Sequence, residues 1–328
     1  MIATPFFSVV IPVYNKEPHV HRALLSVLNQ SFQDFELVAV CDPSSDNSEV
    51  EVYRVKDDRM KVLKRDKPGP GGYAARNEGI KHSAAEWVVF LDADDEWYPN
   101  HLENFKKCIE ENPGEEFFAS GYDIVDIDSR LNRRVSIETH GQSRRINFLE
   151  YLKVSPFFTS VVCLRKSLIV SSGLFPEGKM NRGGDVDTWL RCIYQAGGYV
   201  WSNHVGAVYY RDTVNMVTRV NFYSESEIVN TSVLSLIEKE RVGKVASALR
   251  LRYNDLVIYA WNQNVHLGVK KNIKIRGRLF FKPLTLKAIL YSVFSEVPYP
   301  ALKTIHRFSF RLVSIKRNGF QSFFSRSK

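Results

Sequence analysis

The sequence predicts an α/β fold with a doubly wound, mostly parallel central sheet flanked by helices, followed by a helical, basic C-terminal extension. Strand-like apolar runs alternate with helical patterns through roughly the first hundred residues, which is typical of βαβ units. Charge is also uneven, because residues 251–328 carry 15 Lys/Arg and 2 Asp/Glu, whereas the preceding residues carry 30 and 34. We therefore expect two domains, residues 1–219 and 220–328, the first with halves of about 1–115 and 116–219.

The first two strands are predicted from apolar, β-branched runs. Phe7–Val13 is almost wholly apolar, as expected of a strand buried on both faces of a parallel sheet. Asn15–Gln30 follows with one apolar stripe at helical spacing, and Phe35–Cys41 is a second strand. The same reasoning predicts, in chain order, a short strand at Met60–Leu63, a helix at Tyr73–His82, a strand at Trp87–Leu91, and strands at Phe117–Tyr122, Thr159–Leu164 and Ala207–Tyr210.

Polar residues follow the first, second and fourth of these predicted strands. They are Tyr14-Asn15, Asp42–Ser48 and Asp92–Asp95. In open parallel sheets ligands bind outside the carboxyl ends of the strands. We therefore expect these three clusters to lie at one edge of the sheet and to form the binding site.

Asp92-Ala93-Asp94-Asp95 is the strongest candidate for chemistry. Carboxylates held this close repel one another, and a divalent cation relieves that repulsion. Mg²⁺ or Mn²⁺ takes one or two carboxylates and completes its coordination with phosphate oxygens and water. The alternatives are an acidic turn that caps the helix beginning near Tyr98, and a phosphatase nucleophile. The phosphatase is disfavoured because such enzymes carry the motif after their first strand.

Asp42 and the Gly69–Gly72 turn indicate a nucleotide. Asp42, at a strand end, could accept a hydrogen bond from the N3–H of uracil, whereas the serines that follow it suit helix capping. The glycines permit close backbone approach, and the helix start favours anions. The spacing matches neither G-x-G-x-x-G nor a Walker loop, so a dinucleotide or ATP site is not supported. Arg76 could face a base, a phosphate or Asp42, or be a surface arginine.

Asp185 and Asp187 follow a Gly183-Gly184 turn and precede an apolar helical run. Either carboxylate could take a proton from an acceptor hydroxyl, since a positioned carboxylate is a standard general base. The alternative is that Asp185 or Asp187 caps the helix that follows.

Together, five segments resemble the family 2 glycosyltransferases, which have the GT-A fold. They occur in the family's order and are Ser8–Asn15, Asp42–Ser48, Ala75–Gly79, Phe90–Asp95 and Gly183–Leu190. The resemblance covers roughly residues 6–219. It implies a metal-assisted, inverting transfer of a sugar from a nucleotide-sugar, by family habit a UDP-sugar, to an acceptor hydroxyl.

The resemblance also implies a role for each matching position. The nucleotide-sugar-binding group is Pro12, Tyr14, Asp42, Arg76 and Asp92. Asp94 would hold the Mn²⁺ or Mg²⁺ ion that bridges the donor diphosphate. Asp185 would be the catalytic base, with Asp187 as its acidic neighbour.

Two positions depart from the family's pattern. Gly184 stands where the family commonly has Glu, and the His often found after the last catalytic strand is missing from Val208–Asn215. The protein ligands of the metal could reduce to Asp94, or Asp212 could contribute. These departures leave open a second function, that of a catalytically inactive nucleotide-sugar-binding protein.

The C-terminal region mixes basic and apolar residues over 270–281 and 303–317, which is typical of an amphipathic element at an anionic membrane surface. The alternative is a helix that packs its apolar stripe on the catalytic domain. No fold signature accompanies the charge, so nucleic acid is not expected. With neither a signal peptide nor an apolar run of about 18 residues, we expect a cytoplasmic, peripheral protein at the inner face of the plasma membrane. A glycan or lipid-linked acceptor, as in bacterial surface-polysaccharide synthesis, fits that location.

Overall fold

The structure is a computed structural model of the 328-residue chain. It describes residues 4–126, 131–139, 141–154, 156–211, 213, 223–224, 231–269, 275, 277–283 and 285–296. The chain divides into two compact units, Met1–Asn221 and Phe222–Lys328. As functional domains, the ranges 1–219 and 220–328 remain predictions.

The first unit is an α/β structure around one mixed sheet. Its strands are β1 Phe7–Val13, β2 Phe35–Cys41, β3 Met60–Lys64, β4 Trp87–Phe90, β5 Glu96–Trp97, β6 Phe117–Val125, β7 Leu131–Val135, β8 Arg144–Asn147, β9 Val162–Arg165 and β10 Gly198–Tyr210. Its helices are α1 Val20–Leu28, α2 Ser48–Arg54, α3 Tyr73–His82, α4 His101–Glu111, α5 Phe148–Lys153, α6 Lys166–Ser171 and α7 Gly184–Ala196. The predicted α/β fold is confirmed.

The strand order is β3-β2-β1-β4-β9-β6-β10-β5, with β7 beside β6 and β8 beside β10. Strands β3, β2, β1 and β4 are mutually parallel. Strand β9 runs antiparallel to both β4 and β6, and β6 pairs in parallel with β10. The parallel part brings the carboxyl ends of β1, β2 and β4 to one edge, where the three polar clusters follow them.

Helix α3 packs close to the parallel part of the sheet. A Cβ on Gly79 would collide with Val10 of β1, so only glycine allows this approach of helix to strand. Ala75 packs with Val38 and Val40 on the same face of β2. The close packing fixes the height of α3 relative to the strand ends, and with it the position of Arg76.

Three predicted elements differ most from those observed, and the ends of β3, β4 and β6 differ by one to three residues. Helix α1 begins at Val20 and not at Asn15, because Asn15 has a φ of 50° and a turn closed on the Lys16 carbonyl precedes the helix. The segment Thr159–Val161 forms a 3-10 turn before β9. Strand β10 begins at Gly198, nine residues before the predicted start at Ala207, because its first five positions are buried between neighbouring strands.

The second unit is helical in its described part, with α8 Ser232–Glu240, α9 Gly243–His266 and α10 Leu286–Phe294. Two asparagines of α9 bind neighbouring chain segments through both amide atoms: Asn264 bonds the backbone of Tyr223, and Asn254 bonds that of Phe280. None of the described helices combines the length and apolarity needed to cross a membrane. Lys270, Lys271, Lys274, Arg276 and the segment 303–317 lie outside the described residues.

Candidate active site

The three aspartates that follow β4 point to different partners. Asp92 pairs with the Arg76 guanidinium of α3. Asp94 accepts from Lys16, while Asp95 turns into the protein toward Ser160. The predicted cluster of carboxylates is thereby divided, and only the first two are partly exposed to solvent.

Arg76 is a buried cation at the edge of the sheet, and the prediction that it could be a surface arginine is wrong. One guanidinium nitrogen donates to the carbonyl of Gly71 at 2.8 Å, and the other binds Asp92. The guanidinium also lies 5.5 Å from the ring centroid of Phe175. Arg76 thus links the glycine turn, the end of β4 and the segment that leads into α7.

The Asp94 carboxylate already forms an ion pair with a basic side chain of the protein. Its Oδ2 atom lies 2.6 Å from Lys16 Nζ and accepts from Thr213 Oγ1 at 2.6 Å. The Asp94 carbonyl accepts from Arg22 at 2.7 Å. Two basic side chains therefore border this carboxylate at the position where the sequence predicts a diphosphate.

Asp95 is held inside the protein. Its carboxylate accepts from Ser160 Oγ at 2.7 Å, and the same hydroxyl accepts from the backbone N–H of Asp92 at 3.0 Å. Burial, and then the nearby charges of Asp94 and Asp92, raise the pKa of Asp95 well above its ordinary value. The position of Asp95 favours a structural role in which it braces the turn that presents Asp92 and Asp94.

Asp185 is the second residue of α7 and is half-buried. The helix begins after Gly183, whose φ of 71° and lack of a side chain leave the helix start without a side-chain cap. Burial raises the pKa of Asp185, while the Val186 N–H and the positive charge of Arg76 oppose that rise. Arg76 therefore lies close enough to act electrostatically on Asp185 while it binds Asp92.

Asp187 lies in a different environment. It is buried and pairs with Arg191 at 3.1 Å, one turn further along α7. Arg191 in turn donates to the carbonyls of Ser172 and Leu174. Through Arg191, Asp187 thus anchors the loop after α6, and the bonds of Arg191 to that loop are not local in the sequence.

Asp42 is also buried, at the end of β2. Its carboxylate binds Arg65 at 2.5 Å and accepts from the Gly69 N–H at 3.2 Å. Pro12 lies beside the glycine turn, since a Cβ on Gly72 would lie 3.4 Å from Pro12 Cβ. Tyr14 is 45% exposed at the end of β1.

Several residues of this edge escaped the sequence prediction. Arg65 follows β3 as the aspartates follow β2 and β4, so the rule used for those strands could have found it. Lys16 lies just after Asn15 in the polar segment that follows β1, so the same rule could have found it. Tyr73, Ser160 and Thr213 carried no signal, because their partners lie 65 to 119 residues away in the chain.

The residues at Asp94 fit a divalent cation whose coordination would be completed by oxygen atoms of the substrate. The described residues hold no group of three or more His, Cys, Asp and Glu side chains suited to a metal. Mg²⁺ commonly takes one or two carboxylates and completes its coordination with phosphate oxygens and water. Asp94 offers one partly exposed carboxylate at a strand end, which meets that need. Asp212 lies outside the described residues.

Comparison with known proteins identifies the family. Residues 8–170 match the family model described as Glycosyl transferase family 2. The chain is 32% identical over 130 residues to the Escherichia coli UDP-Glc:alpha-D-GlcNAc-diphosphoundecaprenol beta-1,3-glucosyltransferase WfgD, covering 39% of this chain and 50% of that protein. It is 24% identical over 312 residues to the Campylobacter jejuni GalNAc(5)-diNAcBac-PP-undecaprenol beta-1,3-glucosyltransferase, covering 90% and 94%.

The match does not always extend along the whole relative. The chain is 33% identical over 184 residues to an uncharacterised glycosyltransferase of Rickettsia bellii but spans only 26% of its length. Among solved structures, S. aureus TarS 1-349 in complex with UDP-GlcNAc shares the fold, with a TM-score of 0.64, 17% identity and coverage of 93% of this chain and 92% of that chain. The solved structure shows that the chain shares a GT-A-type fold, and the family match with these relatives shows that the chain belongs to glycosyltransferase family 2.

Proposed function

We propose that the protein transfers a sugar, with inversion, from a UDP-sugar to a hydroxyl of a glycan or lipid-linked acceptor. One observation carries the proposal: Arg76 binds Asp92, and it lies close enough to Asp185 for its positive charge to lower the pKa of that carboxyl. Asp92, which the family resemblance would put beside the donor ribose, and Asp185, the proposed base, therefore border one site. An isolated acidic turn or a pair of helix caps would not require this arrangement.

The donor nucleoside would bind against Pro12, Tyr14 and Asp42. Arg65 and the Gly69 N–H hold the Asp42 carboxylate in one orientation, and its oxygens retain lone pairs that can accept the N3–H of uracil. Tyr14 is exposed enough to pack on the base. The relative from E. coli has UDP-Glc in its name, which supports a UDP-sugar here.

Asp94 would hold Mn²⁺ or Mg²⁺ together with the donor diphosphate. When bound, the ion acts as a Lewis acid that stabilises the charge gained by the leaving nucleoside diphosphate. Lys16 and Arg22, which already contact Asp94, add positive charge at the same place. Thr213 keeps the Asp94 carboxylate oriented, in a region where the family often has a histidine.

Asp185 would serve as the general base. It takes the proton of the acceptor hydroxyl as that oxygen attacks C1 from the face opposite the leaving group, so the anomeric configuration inverts. Burial raises its pKa and so makes it a stronger base than an exposed aspartate. Asp187 is proposed to support this site only indirectly, because its carboxylate is bound to Arg191.

The acceptor is proposed to be lipid-linked, as in bacterial surface-polysaccharide synthesis. Two relatives carry an undecaprenol-linked acceptor in their names, and one of them aligns with 90% of this chain. The surplus of basic residues after residue 250 supports contact with an anionic membrane surface, and we propose a peripheral location at the inner face of the plasma membrane.

The test is binding and turnover of UDP-sugars with Mn²⁺. A UDP-sugar that binds the folded state raises the thermal midpoint by mass action. Hydrolysis of that donor, in which water takes the sugar and UDP is released, should be lost in Asp185→Asn, whereas binding should persist. The matched control is Asp58→Asn, an exposed aspartate in the turn before β3, which should leave both unchanged. Binding without turnover in the wild type would instead identify an inactive nucleotide-sugar-binding protein.

A further inference from the structure

Tyr73, the first residue of α3, contacts the first residue of α7. Its hydroxyl accepts the backbone N–H of Gly184 at 2.8 Å, and both residues are buried. The first N–H groups of a helix have no partner within the helix. A side chain from another helix therefore satisfies one of them, directly before Asp185.

The ring of Tyr73 also fills the space beside Gly184. A Cβ on Gly184 would lie 2.6 Å from Tyr73 Cζ and 2.7 Å from Pro176 Cγ, closer than real Cβ contacts come. Glycine is required here by space. The departure noted in the sequence, Gly184 where related sequences commonly have Glu, thus has a physical reason. Tyr73 occupies the volume that a side chain at position 184 would need.

Two further residues of α3 hold the chain segment that leads to α7. The ring of Tyr73 stacks on that of Phe175, with centroids 6.1 Å apart and planes at 8°, and the Arg76 guanidinium lies over the same ring. The Asn77 amide accepts from the Phe175 N–H at 2.9 Å and donates to its carbonyl at 3.1 Å. Positions 73, 76 and 77 share one face of a helix.

We propose that Tyr73 is a positioning residue for Asp185. It fixes the first peptide of α7 through its hydroxyl and excludes a side chain at position 184, so that Asp185 projects toward Arg76 and the acceptor. The inference rests on the proposed role of Asp185 as base. Effective proximity is sensitive to small shifts, since a displacement of about 1 Å can cost about a hundredfold in rate.

The first test is Tyr73→Phe, which removes the hydroxyl and keeps the ring. With Mn²⁺ and UDP-glucose, or the UDP-sugar that gives the largest thermal shift, we expect kcat for UDP release to fall at least about tenfold. KM for the donor should stay within about twofold, because the nucleoside and diphosphate contacts are made elsewhere. Tyr53→Phe, an exposed tyrosine of α2, is the matched control and should change neither constant.

The second test uses the steric conflict between the Tyr73 ring and a side chain at position 184, and it does not depend on the Tyr73 hydroxyl. Gly184→Ala should lower kcat, and adding Tyr73→Ala should recover part of that loss because the ring atoms in conflict are gone. If the fold-losses in kcat of Gly184→Ala and Tyr73→Ala simply multiply in the double variant, the packing relation is overturned. A kcat of Tyr73→Phe within about twofold of wild type, while Asp185→Asn is inactive, would overturn the positioning role alone. Full activity of Asp185→Asn would overturn the proposed base itself.

Discussion

Lys16 Nζ lies 2.6 Å from Asp94 Oδ2, so the carboxylate proposed to bind a metal is paired with a cation from the loop after β1. Both side chains are largely shielded, with 14% and 18% of their surface exposed. A divalent ion must share or displace this contact when it binds Asp94. Lys16 would thereby set how strongly the site binds metal before the donor arrives.

Replacing Lys16 by Met should strengthen Mn²⁺ binding in the absence of nucleotide. The change removes the competing cation, and we expect a gain of several-fold, or about 1 kcal/mol. Electron paramagnetic resonance of free Mn²⁺ during a titration measures this affinity directly. Lys107→Met, on the exposed face of α4, is the control. Equal affinity in wild type and Lys16→Met would contradict the competition.

The pH dependence of turnover should report the half-buried position of Asp185. A base must be deprotonated, and burial raises its pKa above the ordinary 3.8, so kcat should fall at a higher pH than for an exposed aspartate. Arg76 opposes that rise. In Arg76→Met the acid limb of kcat should therefore shift to higher pH than in the wild type. This shift would come in addition to the lower activity expected when a residue of the site is lost. An acid limb that does not move in this variant would argue against Asp185 as the titrating base.

Asp185→Asn, which we expect to be inactive, should be more stable than the wild type. Because the folded-state pKa of Asp185 is raised, ionisation costs stability as pH rises above the unfolded-state pKa, and that cost is present at pH 7. Asparagine removes it. We expect the thermal midpoint at pH 7 to rise by about 2 °C or more. The gain should shrink toward pH 4, and a lower midpoint at pH 7 would contradict the prediction.

A buried histidine pair should make the protein acid-sensitive. His101 Nδ1 of α4 lies 2.9 Å from His204 Nε2 of β10, and His204 Nδ1 lies 2.8 Å from Ser202 Oγ. Burial, together with His204, lowers the pKa of His101 well below its ordinary value, and burial lowers that of His204 to about 3. Both depressed values mean that the unfolded chain binds protons first as pH falls.

Stability should therefore be complete above about pH 6.5 and decline below it, by up to about 1.4 kcal/mol per pH unit for each histidine. Urea unfolding between pH 7 and pH 4 measures this slope. His204→Gln should reduce the slope even if it lowers stability overall. His82→Gln, an exposed histidine at the end of α3, should leave the slope unchanged. A wild-type free energy of unfolding that does not change between pH 7 and pH 4 would refute the role of this histidine pair in acid sensitivity.

The sequence was most informative where local pattern decides structure. Strands β1 and β2 and helix α3 have the predicted bounds, because apolar runs buried on both faces and a glycine-led helix start are local signals. The start of α1 was wrong because Asn15 adopts a positive φ and Glu17 binds the loop after β2. Those contacts span about thirty residues, and no local pattern reveals them.

The residue types at the candidate site were predictable from the sequence, and their contacts were less so. Position at strand ends pointed to Asp42, Asp92 and Asp94, since parallel strands collect their carboxyl ends at one edge. The inward turn of Asp95 depends on Ser160, which is 65 residues away. The pairing of Asp187 with Arg191 is local, at i and i+4, and could have been anticipated from helix spacing.

Ser160 has a consequence for exchanging segments of this fold. It comes from the C-terminal half of the first unit, yet it bonds both the Asp92 backbone and the Asp95 carboxylate, and its carbonyl accepts from Trp97. The turn that presents Asp92 and Asp94 is therefore shaped from the opposite half. Replacing the segment around Ser160, in the half proposed to bind the acceptor, should therefore shift the turn proposed to bind the donor unless a serine is kept at this position.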